Sequence, residues 1–316
     1  MPGEGRHLPG RRGDLPDPVP ARARSPGHDR CVRRVGAVTA AAPTDLAAAA
    51  ERTTSFAGSE GDIFLRTWEP AGTATAVVVV VHGYAEHGGR YGHVADAFAA
   101  RGWATVAPDH LGHGRSDGER ALIADFVHVV DDLHATVALA EVRHPGVPVV
   151  MVGHSMGGLL TARFVQRSPE RLAGAAFLGA VLGDWPWARA VLDQPSLPEE
   201  PSDPDGMSRD ASTNRAYAED PLVYHGSYKR PLLVSEVATL DAFRAEIDRI
   251  RIPVACFHGS ADPFVPPGPT VQAVLDMPST DKLIRVYPGA KHELVNETNR
   301  DEVLADLVAA VGRWVA

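Results

Sequence analysis

The chain has 316 residues, 44% hydrophobic and 22% charged, which is the balance of a globular protein with a sizeable core. Its net charge is −9, although residues 1–43 hold eight arginines against four acidic residues, so the remainder is strongly acidic and argues against nucleic acid as a partner. No apolar run reaches the roughly eighteen residues that cross a bilayer, and two cysteines, Cys31 and Cys256, make no disulfide framework. These features favour a cytoplasmic protein with at most peripheral membrane contact.

Residues 1–43 differ in composition from the rest of the chain. They contain seven prolines, six glycines and no Phe, Trp or Tyr. Such a segment cannot bury enough apolar surface to offset the entropy lost on ordering. The composition predicts a disordered, basic, proline-rich N-terminal extension.

Strand-like runs begin at Thr53. The segments TTSFAG and DIFLRTW flank a Ser-Glu-Gly turn and predict a β-hairpin. The later runs are mostly apolar, as in strands covered on both faces; they are VVVVV (77–81), WATVA (103–107), VPVVMV (147–152), AAFLGA (175–180), IPVACF (252–257) and KLIRVY (282–287). Helical spacing from Leu122 to Val137 and from Asp301 to Trp314 completes an α/β pattern, which predicts a mostly parallel sheet flanked by helices.

The connection after the sixth strand is unusually long. Residues 181–251 are far more than the dozen or so that an ordinary crossover needs. This segment begins with Trp185 and Trp187, becomes acidic and proline-rich over 193–205, and regains a helical pattern from Leu240 to Ile250. We interpret it as a cap that divides the core into residues 44–180 and 252–316.

One serine lies where a strand run gives way to a helical pattern. In MVGHSMGGLL (151–160), Ser155 stands between Gly153 and Gly157. Such a serine either caps the helix or is presented as a nucleophile on a sharp turn. The strand–turn–helix context favours the nucleophile, because larger side chains at 153 and 157 would collide with the neighbouring strand and helix.

A serine nucleophile needs a base and an acid that orients the base. Asp262 follows the run IPVACF, and His292 follows KLIRVY. Both therefore lie at carboxyl ends of strands, in the chain order serine, acid, histidine. Each alone has another explanation, Asp262 as a turn residue and His292 as a surface histidine, but together with Ser155 they predict a catalytic triad.

The negative charge that develops during acyl transfer needs two hydrogen-bond donors. One is the backbone N–H of Met156, because this residue follows the nucleophile. The other comes from the glycine-rich turn after VVVVV, where we assign the backbone N–H of Tyr84.

Several motifs along the chain point to one family. They are HGYAEHGGRY (82–91), DHLGHGRSDGER (109–120), GHSMGG (153–158), SRD (208–210), DPL (220–222), GSAD (259–262) and GAKHE (289–293). Together they resemble the monoacylglycerol lipase and lysophospholipase branch of the α/β-hydrolase superfamily, from Thr53 to the C-terminus. The resemblance implies the α/β-hydrolase fold, the same triad and the same oxyanion donors.

The resemblance also implies substrate contacts. Glu86, Arg90 and His154 match positions that line the glycerol end of the pocket, and Tyr217 reaches it from the cap. An equally good interpretation of Glu86 and Arg90 is a structural ion pair that fixes the loop. The acidic stretch 193–205 differs from the apolar lids of the family. This difference favours dispersed substrates over lipid aggregates. We expect the two cap tryptophans, Trp185 and Trp187, to line an acyl pocket instead of a membrane contact.

The sequence therefore predicts a serine hydrolase that cleaves carboxylic esters of the monoacylglycerol or lysophospholipid type. Its substrate is a small-molecule acyl ester, and the chemistry requires no metal and no organic cofactor. Two alternatives remain open: a short-chain carboxylesterase or thioesterase with the same triad, and a non-catalytic ligand-binding protein on the same fold. The sequence indicates no particular oligomeric state.

Overall fold

An eight-stranded sheet runs through the computed structural model, which describes residues 49–199 and 203–316. The strands are β1 (Ala50–Ala57), β2 (Asp62–Glu69), β3 (Ala76–Val81), β4 (Trp103–Pro108), β5 (Val149–His154), β6 (Gly174–Leu178), β7 (Val254–Gly259) and β8 (Lys282–Tyr287). Their order across the sheet is β1-β2-β4-β3-β5-β6-β7-β8. The extension predicted for residues 1–43 lies outside the described residues.

The pairing of the strands confirms the predicted hairpin and the mostly parallel sheet. β1 pairs antiparallel with β2, and β2 pairs antiparallel with β4. From β4 to β8, the described neighbours all pair in parallel. Parallel neighbours place their carboxyl ends at one edge of the sheet, which is where this fold class binds ligands.

Helices cover both faces of the sheet. They are α1 (Gly92–Ala99), α2 (Phe126–Arg143), α3 (Met156–Arg167), α4 (Pro186–Leu192), α5 (Ala211–Glu219), α6 (Arg230–Ala245), α7 (Pro267–Asp276) and α8 (Arg300–Trp314). The prediction that helical structure begins at Leu122 is wrong. Asp125 is extended and its carboxylate accepts a hydrogen bond from the backbone N–H of Val127 at 2.8 Å, so it caps α2 and starts the helix at Phe126.

The valines of β3 show how the two layers of core form. Because side chains alternate along a strand, Val77, Val79 and Val81 pack with residues of α2 and α3. Val78 and Val80 point to the opposite face and pack with residues of α1 and α8. All six residues of the strand are buried, as its uninterrupted apolar run predicts.

The cap segment between β6 and β7 contains α4, α5 and α6. Helix α6 packs on α2 and α3 and contributes to the same core. Backbone hydrogen bonds also join the rest of the cap to loops of the sheet; among them, Tyr224 N–H donates to Ala85 O and Glu293 N–H donates to Met207 O, each at 2.8 Å. Among the helices of the described ranges, none has both the length and the apolar character of a membrane-spanning segment.

Candidate active site

Ser155 lies on the sharp turn between β5 and α3. Its backbone has φ 53° and ψ −121°, a conformation that residues with side chains rarely adopt. A methyl group added at Gly157 would lie 2.1 Å from the carbonyl oxygen of Val81, and one at Gly153 would lie 2.3 Å from the carbonyl oxygen of Gly157. Both glycines are therefore required by close approach of β3 and α3, as the motif predicts.

The three side chains predicted as a triad form one hydrogen-bonded chain. His292 Nε2 lies 2.9 Å from Ser155 Oγ, and His292 Nδ1 lies 2.7 Å from Asp262 Oδ2. Each residue follows the carboxyl end of a different parallel strand, β5, β7 or β8. This is the geometry by which a histidine can take a proton from a serine while a carboxylate holds the imidazole in one orientation.

Asp262 is held as a carboxylate by a dense set of donors. Its Oδ1 accepts hydrogen bonds from the backbone N–H groups of Phe264 and Val265, at 2.9 and 3.0 Å. Burial by itself would raise the pKa of Asp262, but His292, His258 and the Val265 N–H hold that pKa well below its usual range. His258 Nε2 lies 3.3 Å from Asp262 Oδ2. No sequence motif indicates this contact, although His258 lies four residues before Asp262.

The electrostatics of His292 suit a general base. Its burial opposes the charged form, but the charge of Asp262 and the hydrogen bond to it outweigh this effect and raise the pKa of His292 above its usual value. A histidine with a raised pKa accepts a proton more strongly than a free imidazole does. Neutral His292 is thus a stronger base than a neutral histidine in water.

The two residues predicted to stabilise an oxyanion lie next to the nucleophile in sequence or in space. Met156 is the first residue of α3, so its backbone N–H has no acceptor within the helix. Tyr84 lies in the loop after β3 and lines the same cleft as Ser155. The next residue, Ala85, has φ 67°, and Gly83 N–H donates to Glu86 Oε1 at 2.7 Å, so this loop is fixed in an unusual backbone conformation.

Glu86 and Arg90 make the contacts of a structural ion pair. Arg90 Nη1 lies 3.0 Å from Glu86 Oε2, and the same guanidinium binds both carboxylate oxygens of Glu293 at 2.5 and 2.7 Å. Tyr91 Oη also donates to Glu86, at 2.7 Å. This buried cluster joins the loop after β3 to the loop that carries His292. The contacts of Glu293 are not predictable from the sequence motifs, although this residue directly follows the predicted base.

His154 and Tyr217 both line the cleft around Ser155. The ring of His154 lies 4.7 Å from the ring of His292, and its Nδ1 lies 3.0 Å from the carbonyl oxygen of Leu178. Burial, and next to it the charge of His292, lower the pKa of His154 below its usual value. Tyr217 reaches the cleft from α5 of the cap, with its ring centre 4.9 Å from the guanidinium carbon of Arg90.

The cleft at Ser155 is narrow, with a cavity volume of about 40 Å³, and it is partly open to solvent. Its lining side chains are of two kinds, and we name the two sets the polar wall and the apolar wall. The polar wall comprises Glu86, His154, Tyr217 and Glu293, three of which contact Arg90; the apolar wall comprises Val181, Trp185, Tyr228, Phe264 and Val265. Of the two tryptophans predicted to line an acyl pocket, Trp185 lines this cleft and Trp187 does not; the ring centre of Trp187 lies 5.4 Å from that of Trp185, and Trp187 is 44% exposed. Glu236, which no sequence motif indicates, also lines the cleft.

Comparison with known proteins gives one consistent result. A family model described as "Serine aminopeptidase, S33" matches residues 72–299, which include the whole Ser155–His292–Asp262 chain. A monoacylglycerol lipase from Mycolicibacterium smegmatis is 34% identical over 265 residues, which are 81% of this chain and 95% of that protein. A monoglyceride lipase from Homo sapiens is 29% identical over 264 residues, covering 80% of this chain and 86% of that protein.

A solved structure agrees with the sequence comparisons. The crystal structure of the Paleococcus ferrophilus monoacylglycerol lipase is similar with a TM-score of 0.70 at 26% identity, and the match covers 80% of this chain and 99% of that one. The sheet order, the serine turn and the family match together identify the fold as that of an α/β hydrolase. The chain belongs to the serine aminopeptidase S33 family, in its monoacylglycerol lipase branch.

Proposed function

We propose that this protein is a serine hydrolase that cleaves carboxylic esters of the monoacylglycerol or lysophospholipid type through an acyl-enzyme intermediate. The observation that carries this proposal is the hydrogen-bonded chain of Ser155, His292 and Asp262 at a cleft lined by both polar and apolar side chains. An ester of a polar alcohol and a fatty acid presents both kinds of surface. The names of the relatives, which are monoacylglycerol lipases, support the same class.

The first half of the reaction transfers the acyl group to the enzyme. Ser155 Oγ forms a bond to the ester carbonyl carbon as its proton passes to His292 Nε2, 2.9 Å away. Asp262 stabilises the imidazolium that results, and the backbone N–H groups assigned to Tyr84 and Met156 bind the oxyanion. The C–O bond of the ester then breaks, and the alcohol leaves with the proton from His292.

The second half of the reaction frees the acyl group. Water gives a proton to His292 and attacks the acyl carbon, and collapse of the second tetrahedral intermediate returns the proton to Ser155 and releases the acid. Side chains, backbone donors and water are sufficient for these steps, so we propose no metal and no organic cofactor. We also propose that the enzyme acts in the cytoplasm on small-molecule esters, without nucleic acid and with at most peripheral membrane contact.

Within the cleft we assign the alcohol to the polar wall and the acyl chain to the apolar wall. Glu86, His154 and Tyr217 are the proposed contacts of the alcohol. Arg90 acts on the same wall indirectly, because its guanidinium holds Glu86 and Glu293 in place. The alcohol's hydroxyl groups would then meet fixed hydrogen-bonding groups.

A hydrolysis profile tests the proposal. Monoacylglycerols, lysophospholipids and p-nitrophenyl esters with the same acyl chains should be compared on the wild type and on Ser155→Ala. We expect wild-type turnover of the glycerol or phospholipid esters and a loss on the order of a millionfold in the variant. A fluorophosphonate should add once to the wild type and should not add to the variant. Equal labelling of both proteins, or no hydrolysis of any ester by the wild type, would contradict the proposal.

A further inference from the structure

Glu236 occupies a position where an apolar side chain would be ordinary. It lies on the buried face of α6 together with Leu232, Leu233, Val237 and Leu240. Its exposure is only 1%. A carboxyl group in such a place costs free energy unless another group binds it.

One oxygen of this carboxyl group lacks a hydrogen bond. Within the described ranges, Glu236 Oε2 is buried and has no hydrogen-bond partner. Burial raises the pKa of Glu236 to about 8, so the neutral carboxylic acid prevails at pH 7. A neutral carboxyl group can both donate and accept a hydrogen bond.

A second unsatisfied group lies in the same cleft. The hydroxyl oxygen of Tyr84 is also buried without a hydrogen-bond partner among the described residues. Tyr84 and Glu236 both line the cleft that contains Ser155. Buried polar atoms are nearly always hydrogen-bonded to protein or to water, so two such atoms in one cleft point to a polar partner that enters the cleft.

We propose that Glu236 and the Tyr84 hydroxyl form a polar subsite within the apolar wall, where they bind a hydroxyl group on the acyl chain of the substrate. This inference rests on the proposed function, since the acyl chain must lie along that wall. A hydroxyl group both donates and accepts, so it can satisfy the two side chains at once. An unsubstituted methylene chain leaves both unsatisfied, which costs about ten- to a hundredfold in specificity.

The test compares p-nitrophenyl esters of equal chain length with no substituent, with a hydroxyl group or with an amino group at successive positions of the acyl chain. The kcat/KM values should be measured for the wild type, Glu236→Leu and Glu236→Gln. We expect the wild type to prefer one hydroxyacyl ester about ten- to a hundredfold over its unsubstituted counterpart. Glu236→Leu should abolish that preference, and Glu236→Gln should keep most of it, because an amide also donates and accepts.

A matched control lies on the same helix. Asp241 is an exposed acid of α6 that pairs with Arg189 outside the cleft, so Asp241→Leu should leave the preference unchanged. The same ratio in the wild type and Glu236→Leu would overturn the subsite. A preference for the amino ester that Glu236→Gln removes would also overturn it, because the site would then bind a cation. Hydrolysis of unsubstituted esters by the wild type tests the proposed function separately, since it does not depend on Glu236.

Discussion

At the scale of single residues, Asp262 decides which nitrogen of His292 carries the proton. Asp262→Asn keeps the size of the side chain, but the amide can donate a hydrogen bond to Nδ1 and thereby favour the wrong tautomer. We expect kcat to fall about ten-thousandfold while the fold is kept. Steady-state kinetics and circular dichroism of the variant check both parts.

Asp281 is the matched control for this substitution. It precedes β8, at the opposite end of the strand from His292, and its Oδ1 lies 3.0 Å from Arg313 Nη2. Asp281→Asn should therefore keep wild-type turnover. Normal activity in Asp262→Asn, or a comparable loss in Asp281→Asn, would assign the orienting role to another acid.

The raised pKa of His292 predicts the pH dependence of the reaction. The base must be neutral in the free enzyme, and Asp262 stabilises its protonated form. We therefore expect kcat/KM to fall as the pH decreases through a value above the ordinary histidine pKa of about 6.5, and to level off at higher pH. A profile on a soluble ester, with circular dichroism at each pH, measures this; an acid limb at or below the ordinary value would contradict it.

The functional residues at the ends of strands could be predicted from the sequence, whereas the residues that other elements bring to the same cleft could not. The meeting of Ser155, Asp262 and His292 could be predicted because each residue follows a recognisable apolar run in a required order. Glu236 stands in LLVSEVATL, where it is indistinguishable from a polar residue on the outer side of an amphipathic helix. Its position on the inner face depends on how α6 packs on α2 and α3, and that is a tertiary property.

At the scale of elements, Arg90 joins the loop after β3 to the loop after β8. Its side chain is 9% exposed, and the side chains of Glu86 and Glu293 are each 4% exposed. Arg90→Met would leave two buried carboxyl groups without a cation. We expect the free energy of unfolding at pH 7 to fall by about 3–5 kcal/mol, as measured by urea denaturation.

The pH dependence of that loss follows from Glu293. Burial would raise the pKa of Glu293, but Arg90 holds that pKa below its usual value in the folded protein. The ion pair therefore stabilises the protein at pH values above the unfolded-state pKa of Glu293. This stabilisation is lost as the pH falls through the folded-state pKa. The loss of stability caused by Arg90→Met should therefore become smaller as the pH falls.

Arg189→Met is the control, because it breaks an exposed ion pair with Asp241. It should lower the free energy of unfolding by at most about 1 kcal/mol. Equal losses in the two variants would show that the buried cluster has no special role.

The elements were predicted unevenly for physical reasons. Buried parallel strands are apolar runs, so β3 to β7 were predicted within a few residues of their bounds; the edge strand β8, which is buried only at Tyr287, was predicted from its mostly apolar run. Within the cap, α5 was not predicted, because its nine residues ASTNRAYAE are mostly polar and only Asn214 and Tyr217 are buried. Its start is set by Asp210, whose carboxylate accepts from Ser212 N–H at 2.9 Å.

At the scale of the whole molecule, we expect the body of the protein to fold without residues 1–43. The first described contact is that of Ala49 N–H with Asp96 Oδ1, at 2.8 Å, and β1 begins at Ala50. The composition of residues 1–43 predicts that they add no buried core. A chain that starts at Thr44 should keep both the melting temperature and the esterase activity of the full chain. A clear fall in either would show that the extension stabilises the body.

The charge on the surface of the cap affects whether the protein can bind to a membrane that carries substrate. Four acidic residues of the segment 193–205 are exposed: Asp193, Glu199, Asp203 and Asp205; Glu200 lies outside the described residues. An anionic membrane surface repels such a cluster. Trp187 is exposed beside Trp185 and Tyr228 and is the one large aromatic side chain of the described cap that is prominently exposed to solvent.

We therefore expect the enzyme to prefer dispersed, short- to medium-chain esters and to show no marked interfacial activation. The acidic cap would then open and close the cleft without docking it on a bilayer. The rate should be followed across the critical micelle concentration of one monoacylglycerol, and binding to anionic liposomes should be measured by co-sedimentation. As a control, replacing Asp193, Asp203 and Asp205 with Asn should increase sedimentation, because it removes three repelling charges. A sharp rise in wild-type rate above the critical concentration, together with strong sedimentation, would show instead that the cap is a membrane-docking lid.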